Sequence, residues 1–258
     1  MFKGSRPDLA ALIERQAKRY ELESRVTEVP PPPTLPYIAI SRDAAVDALP
    51  VARAIADRTQ FRVLDDELVD EVARSAGVPR DVVLTYDLNP HAQLEQMIAD
   101  LPFMHLFSED EYVHHLGAVV RDLAATGRVV LVGHAASMVL PPGSGVRLHL
   151  TAPESVRAVW CAITDGVDPY EALTRVRAED ARRRRFYERH FGFAADSPHA
   201  NDLVMDITAY GQGAIADRVC QLLGERLSKG RGPRAGATAD LRQPDAAAPS
   251  LLRPEPPR

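Results

Sequence analysis

Short apolar runs alternate with helical segments from residue 37 to residue 228, and this alternation limits the fold more than any other feature. The candidate strands are Tyr37–Ser41 (YIAIS), Phe61–Asp65 (FRVLD), Arg128–Gly133 (RVVLVG), Val146–Thr151 (VRLHLT) and Asp202–Ile207 (DLVMDI). The third is a continuous apolar run, as expected of a strand covered on both faces. Helical periodicity fills the intervals at Val51–Asp57, Asp66–Ala76, Glu109–Thr126, Pro153–Thr164, Pro169–Tyr187 and Gly211–Leu227. Strands alternating with helices imply βαβ units. The expected fold class is therefore α/β, a doubly wound parallel sheet of five strands flanked by helices. Right-handed crossovers in such a sheet put ligand sites at the carboxyl ends of the strands.

The flanks read differently. Residues 1–29 are expected to hold an N-terminal helix, because Leu9, Leu12, Ile13, Ala17 and Tyr20 share one helical face within residues 6–25. A lone helix of about 20 residues is marginal in water. That face is therefore expected to dock on the core, on a protein partner or on a second copy in a homodimer. Residues 30–36 carry the run Pro30–Pro33 and read as an extended linker. Residues 229–258 are rich in Pro, Gly and Ala, lack aromatics and read as a disordered tail.

Composition narrows the function classes. A net charge of -5 argues against chain-wide attraction to nucleic acid or anionic lipid. The two cysteines, Cys161 and Cys220, form neither a CxxC pair nor a disulfide framework, so a reducing cytoplasm is the expected compartment. No basic-then-apolar leader opens the sequence. No run approaches the ~18 apolar residues of a membrane span.

Four stretches carry a resemblance. They are IAISRDAAVDALPVARAIAD (Ile38–Asp57), FRVLDDELVDEVARSAGVP (Phe61–Pro79), TGRVVLVGHAASMVLPPGSGVRLHLTAPESVRAV (Thr126–Val159) and EDARRRRFYERHFGFAADSPHANDLVMDI (Glu179–Ile207). In order and spacing they resemble the cytidylate kinase-like family, a branch of the nucleoside monophosphate kinases. That family shows ISR, a GSGG loop, a YD-x-EL segment, VVLVGRGA, APxxxR, D-x-x-R-x-x-FY and YDLVLNT. The resemblance implies a P-loop kinase fold with a helical lid. It also implies transfer of a phosphoryl group from ATP, with Mg²⁺, to a nucleotide such as CMP.

The departures fall where the chemistry would be. Ala45, Val46, Asp47 and Ala48 stand in place of GSGG. A phosphate loop cradles its ligand with backbone N–H groups, and glycines supply the positive φ angles of that nest. Alanine and valine resist such angles. No Lys lies in the loop to reach a phosphate, and Asp47 precedes a predicted helix whose N–H groups its carboxylate can cap. Weak catalysis or none is expected. The alternative class is a non-catalytic relative that binds a nucleotide or a protein.

The remaining candidates come from the resemblance. Ser41, Arg42 and Asp47 would lie at the ATP phosphates, although Arg42 could equally pair with Asp65 or Asp66. Asp65, Asp66 and His134 would face the acceptor nucleotide, although the carboxylates could equally cap the helix that follows. Arg157, Asp180 and Arg183 would be the catalytic set at the fourth strand and lid, where arginines stabilise the transferring phosphoryl group. The run Arg182–Arg185 cannot turn all four side chains to one phosphate. A nucleic-acid patch there lacks interleaved aromatics beyond Phe186 and Tyr187. No metal site is expected. Glu111 and His114 have ExxH spacing without a second ligand set, and His105, His114, His115 and His134 read as ordinary histidines.

Overall fold

Tyr37–Arg42 forms the central strand β1 of a parallel sheet, and its side chains alternate between two separate apolar layers. Ile38 and Ile40 face one layer, Tyr37 and Ala39 the other. A computed structural model describes residues 35–86, 107–197, 199–229 and 239–240. The expected N-terminal helix, the linker up to residue 34 and most of the tail lie outside the described residues.

The other strands are β2 (Arg62–Leu64), β3 (Val129–Val132), β4 (Val146–Thr151) and β5 (Leu203–Asp206). Each of the five expected strands is present; Val146–Thr151 has the expected bounds and the other four are trimmed or extended by one or two residues. The sheet has six strands rather than five. A two-residue β6, Ala239–Asp240, pairs parallel with β5, inside the stretch expected to be without structure. The strand order is β2-β3-β1-β4-β5-β6.

Eight helices are described: α1 (Leu49–Thr59), α2 (Glu67–Ala76), α3 (Arg80–Tyr86), α4 (Glu109–Thr126), α5 (Ala136–Val139), α6 (Glu154–Asp165), α7 (Pro169–Phe191) and α8 (Gln212–Lys229). Periodicity misses α3 and α5, which are too short to show a repeat of 3.6. On one face of the sheet, Val51 and Ile55 of α1 and Ile215 and Val219 of α8 cover Ile38, Ile40, Leu148 and Leu150. On the other, Leu68 and Val72 of α2 and Leu116 and Val120 of α4 cover Tyr37, Ala39 and Leu131. With both faces buried the strands are mostly apolar, and the polar residues among them must find partners.

Capping fixes the longest helices. Ser108 and Glu111 form a capping box at the start of α4, each side chain bonded to the other's backbone N–H. Glu111 thus helps to fix the start of the helix. Asp168 accepts from Tyr170 N and Glu171 N at the start of α7, with Pro169 in the first turn. The expected carboxylate cap of α2 is absent. Asp66 occupies the N-cap with no side-chain bond, and Glu67 Oε2 instead accepts from Asp65 N at 3.1 Å.

The chain leaves β1 toward one edge of the sheet and leaves β4 toward the other. The crevice at the carboxyl ends of β1 and β4 is thus the topological switch point. The antiparallel helices α6 and α7 pack on each other beside it. Ala44, from the loop after β1, is buried between them with Cys161, Ala172 and Val176.

Candidate functional site

The loop after β1 keeps its shape without glycine. Val46 N donates to Asp43 O at 3.2 Å, closing a four-residue turn. Ala45 occupies its third position at φ 61°, where such turns favour glycine. Alanine resists a positive φ, yet the loop holds one there. Val46 and Ala48, buried in the core on either side of exposed Asp47, pin the loop and hold Ala45 in place. Left-handed backbone costs a non-glycine residue about 1–2 kcal/mol. Glycine there gives back about 0.4–1 kcal/mol through the freedom of the unfolded chain. Because Ala45 is exposed and buries nothing, Ala45→Gly is expected to raise the unfolding free energy by about 0.5–1 kcal/mol. Chemical denaturation of the two proteins checks this, and a destabilised variant would show that the turn carries no strain.

Asp47 acts at the helix start as its position implies, by a different bond. Ala48 is the N-cap of α1 and has no side-chain bond, while Asp47 Oδ1 accepts from Leu49 N at 3.0 Å. The next residue, Pro50, has no N–H to offer.

The lid residues converge on this loop. Asp180 Oδ1 accepts from Ala44 N at 3.0 Å, and its Oδ2 accepts from Arg157 Nη1 at 2.7 Å. Arg157 also donates to Ala152 O at 2.9 Å and to Ala44 O at 3.3 Å. Arg183 Nη1 donates to Arg42 O at 2.7 Å, and its other terminal nitrogen pairs with Glu179. Both arginines are buried. The three residues assigned to catalysis therefore meet at one place, and there they bind the loop's own backbone.

A second chain of bonds runs behind the loop. Ser41 Oγ lies 2.9 Å from Nδ1 of His149, whose Nε2 lies 3.0 Å from Asp43 Oδ1. The Asp43 carboxylate accepts from His149 Nε2, and Ser41 Oγ also lies within 3.4 Å of Leu148 O and 3.3 Å of Asn201 Oδ1. Thr151 donates to Asp43 Oδ2 at 2.6 Å, and Arg157 Nε stands 3.9 Å from the same oxygen. Burial pushes the Asp43 carboxyl up, but the His149 and Thr151 bonds and the Arg157 charge hold it below the usual range. Ser41 is buried, and this Ser–His–Asp line ties the end of β1 to β4.

The other candidates spread out. Arg42 reaches across to β3, where a Cβ on Gly133 would come within 2.8 Å of its guanidinium. Gly133, at φ 77°, leaves room for that approach, and His134 and Ala135 follow it at φ 49° and 50°. His134 is buried at the carboxyl end of β3. Asp66 is exposed and stands 3.9 Å from Arg80, outside this cluster. Sequence reasoning passed over Asp43, His149 and Thr151. For His149 and Thr151 the signal is in β4 itself: VRLHLT puts Arg147, His149 and Thr151 on one side of a strand buried on both sides. Polar residues on a covered face must have partners.

A parallel sheet ordered 2-3-1-4-5, with a loop and helix after the central strand and a two-helix lid on that loop, is the fold of the P-loop kinases. An uncharacterised protein from Eubacterium ventriosum shares it, with a TM-score of 0.53 at 17% identity over 74% of this chain and 98% of that one. Residues 37–209 match the model of the cytidylate kinase-like family, and the chain belongs to that family. A cytidylate kinase from Pyrobaculum calidifontis is 27% identical over 175 residues, covering 67% of this chain and 84% of that protein. Those from Ignicoccus hospitalis and Pyrobaculum neutrophilum are 29% and 32% identical over 41% and 45% of this chain. The chain spans only 61% and 63% of their respective lengths. Among the described residues no helix is long and apolar enough to cross a membrane.

Proposed function

We propose that this chain is a cytidylate kinase relative whose loop–lid contact has become structural, so that it binds nucleotide weakly and transfers phosphoryl groups slowly or not at all. One observation carries the reading. Asp180 occupies the Ala44 N–H, and Arg157 and Arg183 are bonded to the carbonyls of Ala44 in the loop and Arg42 at the end of β1, and to Asp180 and Glu179. These are the donors and cations that a phosphate needs, and the chain's own carboxylates already neutralise them. ATP with Mg²⁺ fits the loop poorly, because no Lys is present and Asp47 would face the phosphates with a like charge.

A second reading is an active kinase that transfers phosphate from ATP to CMP. The glycine-type turn at Ala45 and the gathering of Arg42, Arg157 and Arg183 at the carboxyl end of β1 favour it. Calorimetric titration with ATP and with CMP, with and without Mg²⁺, separates the two, together with a coupled turnover assay. The wild type is expected to show no appreciable CMP phosphorylation. ATP affinity should rise from wild type to Asp47→Asn, and further when Gly-Ser-Gly-Gly replaces Ala45–Ala48. That loop will also lose stability, because Val46 and Ala48 are core residues. Turnover near the ~1–100 s⁻¹ usual for kinases would overturn the first reading.

A further inference from the structure

The helix α6 carries apolar residues on two faces. One face, with Arg157, Ala158 and Cys161, turns inward to the loop and α7. The other carries Val156, Val159, Trp160 and Ile163, spaced i, i+3, i+4, i+7. Val159 is 54% and Ile163 76% exposed, and Val156 and Trp160 are half-buried. Tyr170, 81% exposed, follows just past the end of this stripe. Three of the five exposed large apolar residues among those described thus fall on α6 and the start of α7. Scattered exposed apolar side chains are ordinary, but a helical stripe of them marks a docking face. We propose that this face is the contact between two copies of the chain, with α6 of one copy antiparallel to α6 of the other. The proposal does not depend on whether the loop binds nucleotide.

Pattern is the first argument. A two-fold contact sets one patch against itself, so each position on a helix meets the position equally far from the other end of its partner. Glu154–Asp165 reads nearly the same from either end. Acid, hydroxyl and β-branched residue stand at Glu154, Ser155 and Val156, and the reverse order stands at Ile163, Thr164 and Asp165. Antiparallel pairing therefore puts Val156 against the partner's Ile163, and Val159 against the partner's Trp160.

Charge is the second argument. Each end of the stripe has a carboxylate held by an arginine of α7. Glu154 pairs with Arg177 at 2.7 Å, and Asp165 pairs with Arg175 at 3.2 Å. Arg175 also holds Glu171 at 2.6 Å. The two-fold axis brings the Glu154–Arg177 pair of one copy to the Asp165–Arg175 pair of the other, so each carboxylate gains a second arginine across the seam. This rim carries both signs, as a self-complementary contact needs. A bilayer surface favours a basic rim, and a strongly charged peptide favours a rim of one sign.

Size sets the affinity. Specific complexes bury about 800 Å² per partner. The helix α6 is about 18 Å long and supplies less than that alone, so the exposed side of α7 from Tyr170 to Arg177 joins the seam. A weak, reversible dimer follows, with a dissociation constant of about 1–100 μM.

The test is sedimentation of the full chain from about 1 to 300 μM, a range that brackets this constant. The average mass should rise from one copy toward two. Ile163→Glu should raise the dissociation constant about tenfold or more, because it sets a carboxylate in the apolar seam. Leu227→Glu, at a residue 52% exposed on α8, should leave it within about twofold. Both residues are exposed, so both variants keep the fold, which far-ultraviolet circular dichroism checks. Position 156 faces position 163 across the axis, so Val156→Lys combined with Ile163→Glu should restore the association that Ile163→Glu loses. The two positions lie two turns apart on one helix and do not pair within it. A chain that stays one copy at every concentration overturns the proposal. So does equal weakening by Ile163→Glu and Leu227→Glu, which marks general adhesion. Failure of the double variant to recover overturns the antiparallel seam.

Discussion

Asp202→Ala is expected to lower the unfolding free energy by about 3–5 kcal/mol at pH 7, the range for a buried ion pair that loses one partner. Asp202 lies between two arginines at the amino end of β4, far along the sheet from the loop. Its Oδ1 stands 3.1 Å from Arg147 Nη2, and its Oδ2 accepts from Arg226 Nη1 at 2.9 Å and from Arg147 N at 2.8 Å. All three side chains are less than a tenth exposed. Alanine leaves two guanidinium groups buried without a counter-charge, held only by the carbonyls of His199 and Gly145.

The pH dependence has a definite sign. Burial raises the Asp202 carboxyl, but Arg226 and Arg147 bring it below the usual carboxylate value. A depressed folded value means that the stabilisation is complete above the unfolded value of about 3.9 and is lost as pH falls through the folded one. The gap between wild type and variant should therefore narrow below about pH 4. Urea denaturation at pH 7 and at pH 3 measures both. A loss under about 1 kcal/mol at pH 7 would show that the arginines find water instead. A variant with Met at 147 and 226 and Leu at 202 should recover much of the loss, because apolar side chains of similar volume replace buried ion triads at little cost.

Arg157→Ala is the second large effect, about 2–4 kcal/mol at pH 7. Arg157 joins four parts of the site: the Ala152 carbonyl, the Ala44 carbonyl, Asp180 and, at 3.9 Å, Asp43. Its removal leaves two carboxylates facing each other across the loop. Their side chains are 24% and 27% exposed, so water offsets part of the cost and the effect is smaller than at Asp202. Acid should narrow the difference. Asp43 is held below the usual range partly by Arg157, so its contribution exists above the unfolded value and fades as pH falls through the folded one. In the variant that fraction is already gone. Limited proteolysis should also reach α6 and α7 sooner, since the arginine ties them to β1. A penalty equal at pH 7 and pH 4 would assign the loss to packing of the arginine stem alone.

Much of the architecture was legible because periodicity reports burial directly. RVVLVG reads as a strand covered on both faces, which β3 is, and the helical periodicity beginning at Glu109 and Pro169 meets the starts of α4 and α7. The family segments were legible for the same reason: each is a run of neighbours in sequence. What escaped was the pairing across long separations. Ala44 bonds Asp180 over 136 residues, and Ser41 bonds His149 over 108. No local pattern encodes which carboxylate meets which arginine.

The five longer strands, the six longer helices and the loss of the loop glycines were legible in the sequence alone, because each follows from local chemistry and a spacing of two or 3.6. Tertiary structure decided the rest of the site. It held Ala45 at φ 61° between buried anchors, against alanine's own preference. It turned Arg157 and Arg183 onto the loop backbone. The physical reason is common to both. A backbone angle or a charge settles where packing leaves its total energy lowest, and that packing joins elements far apart in the sequence.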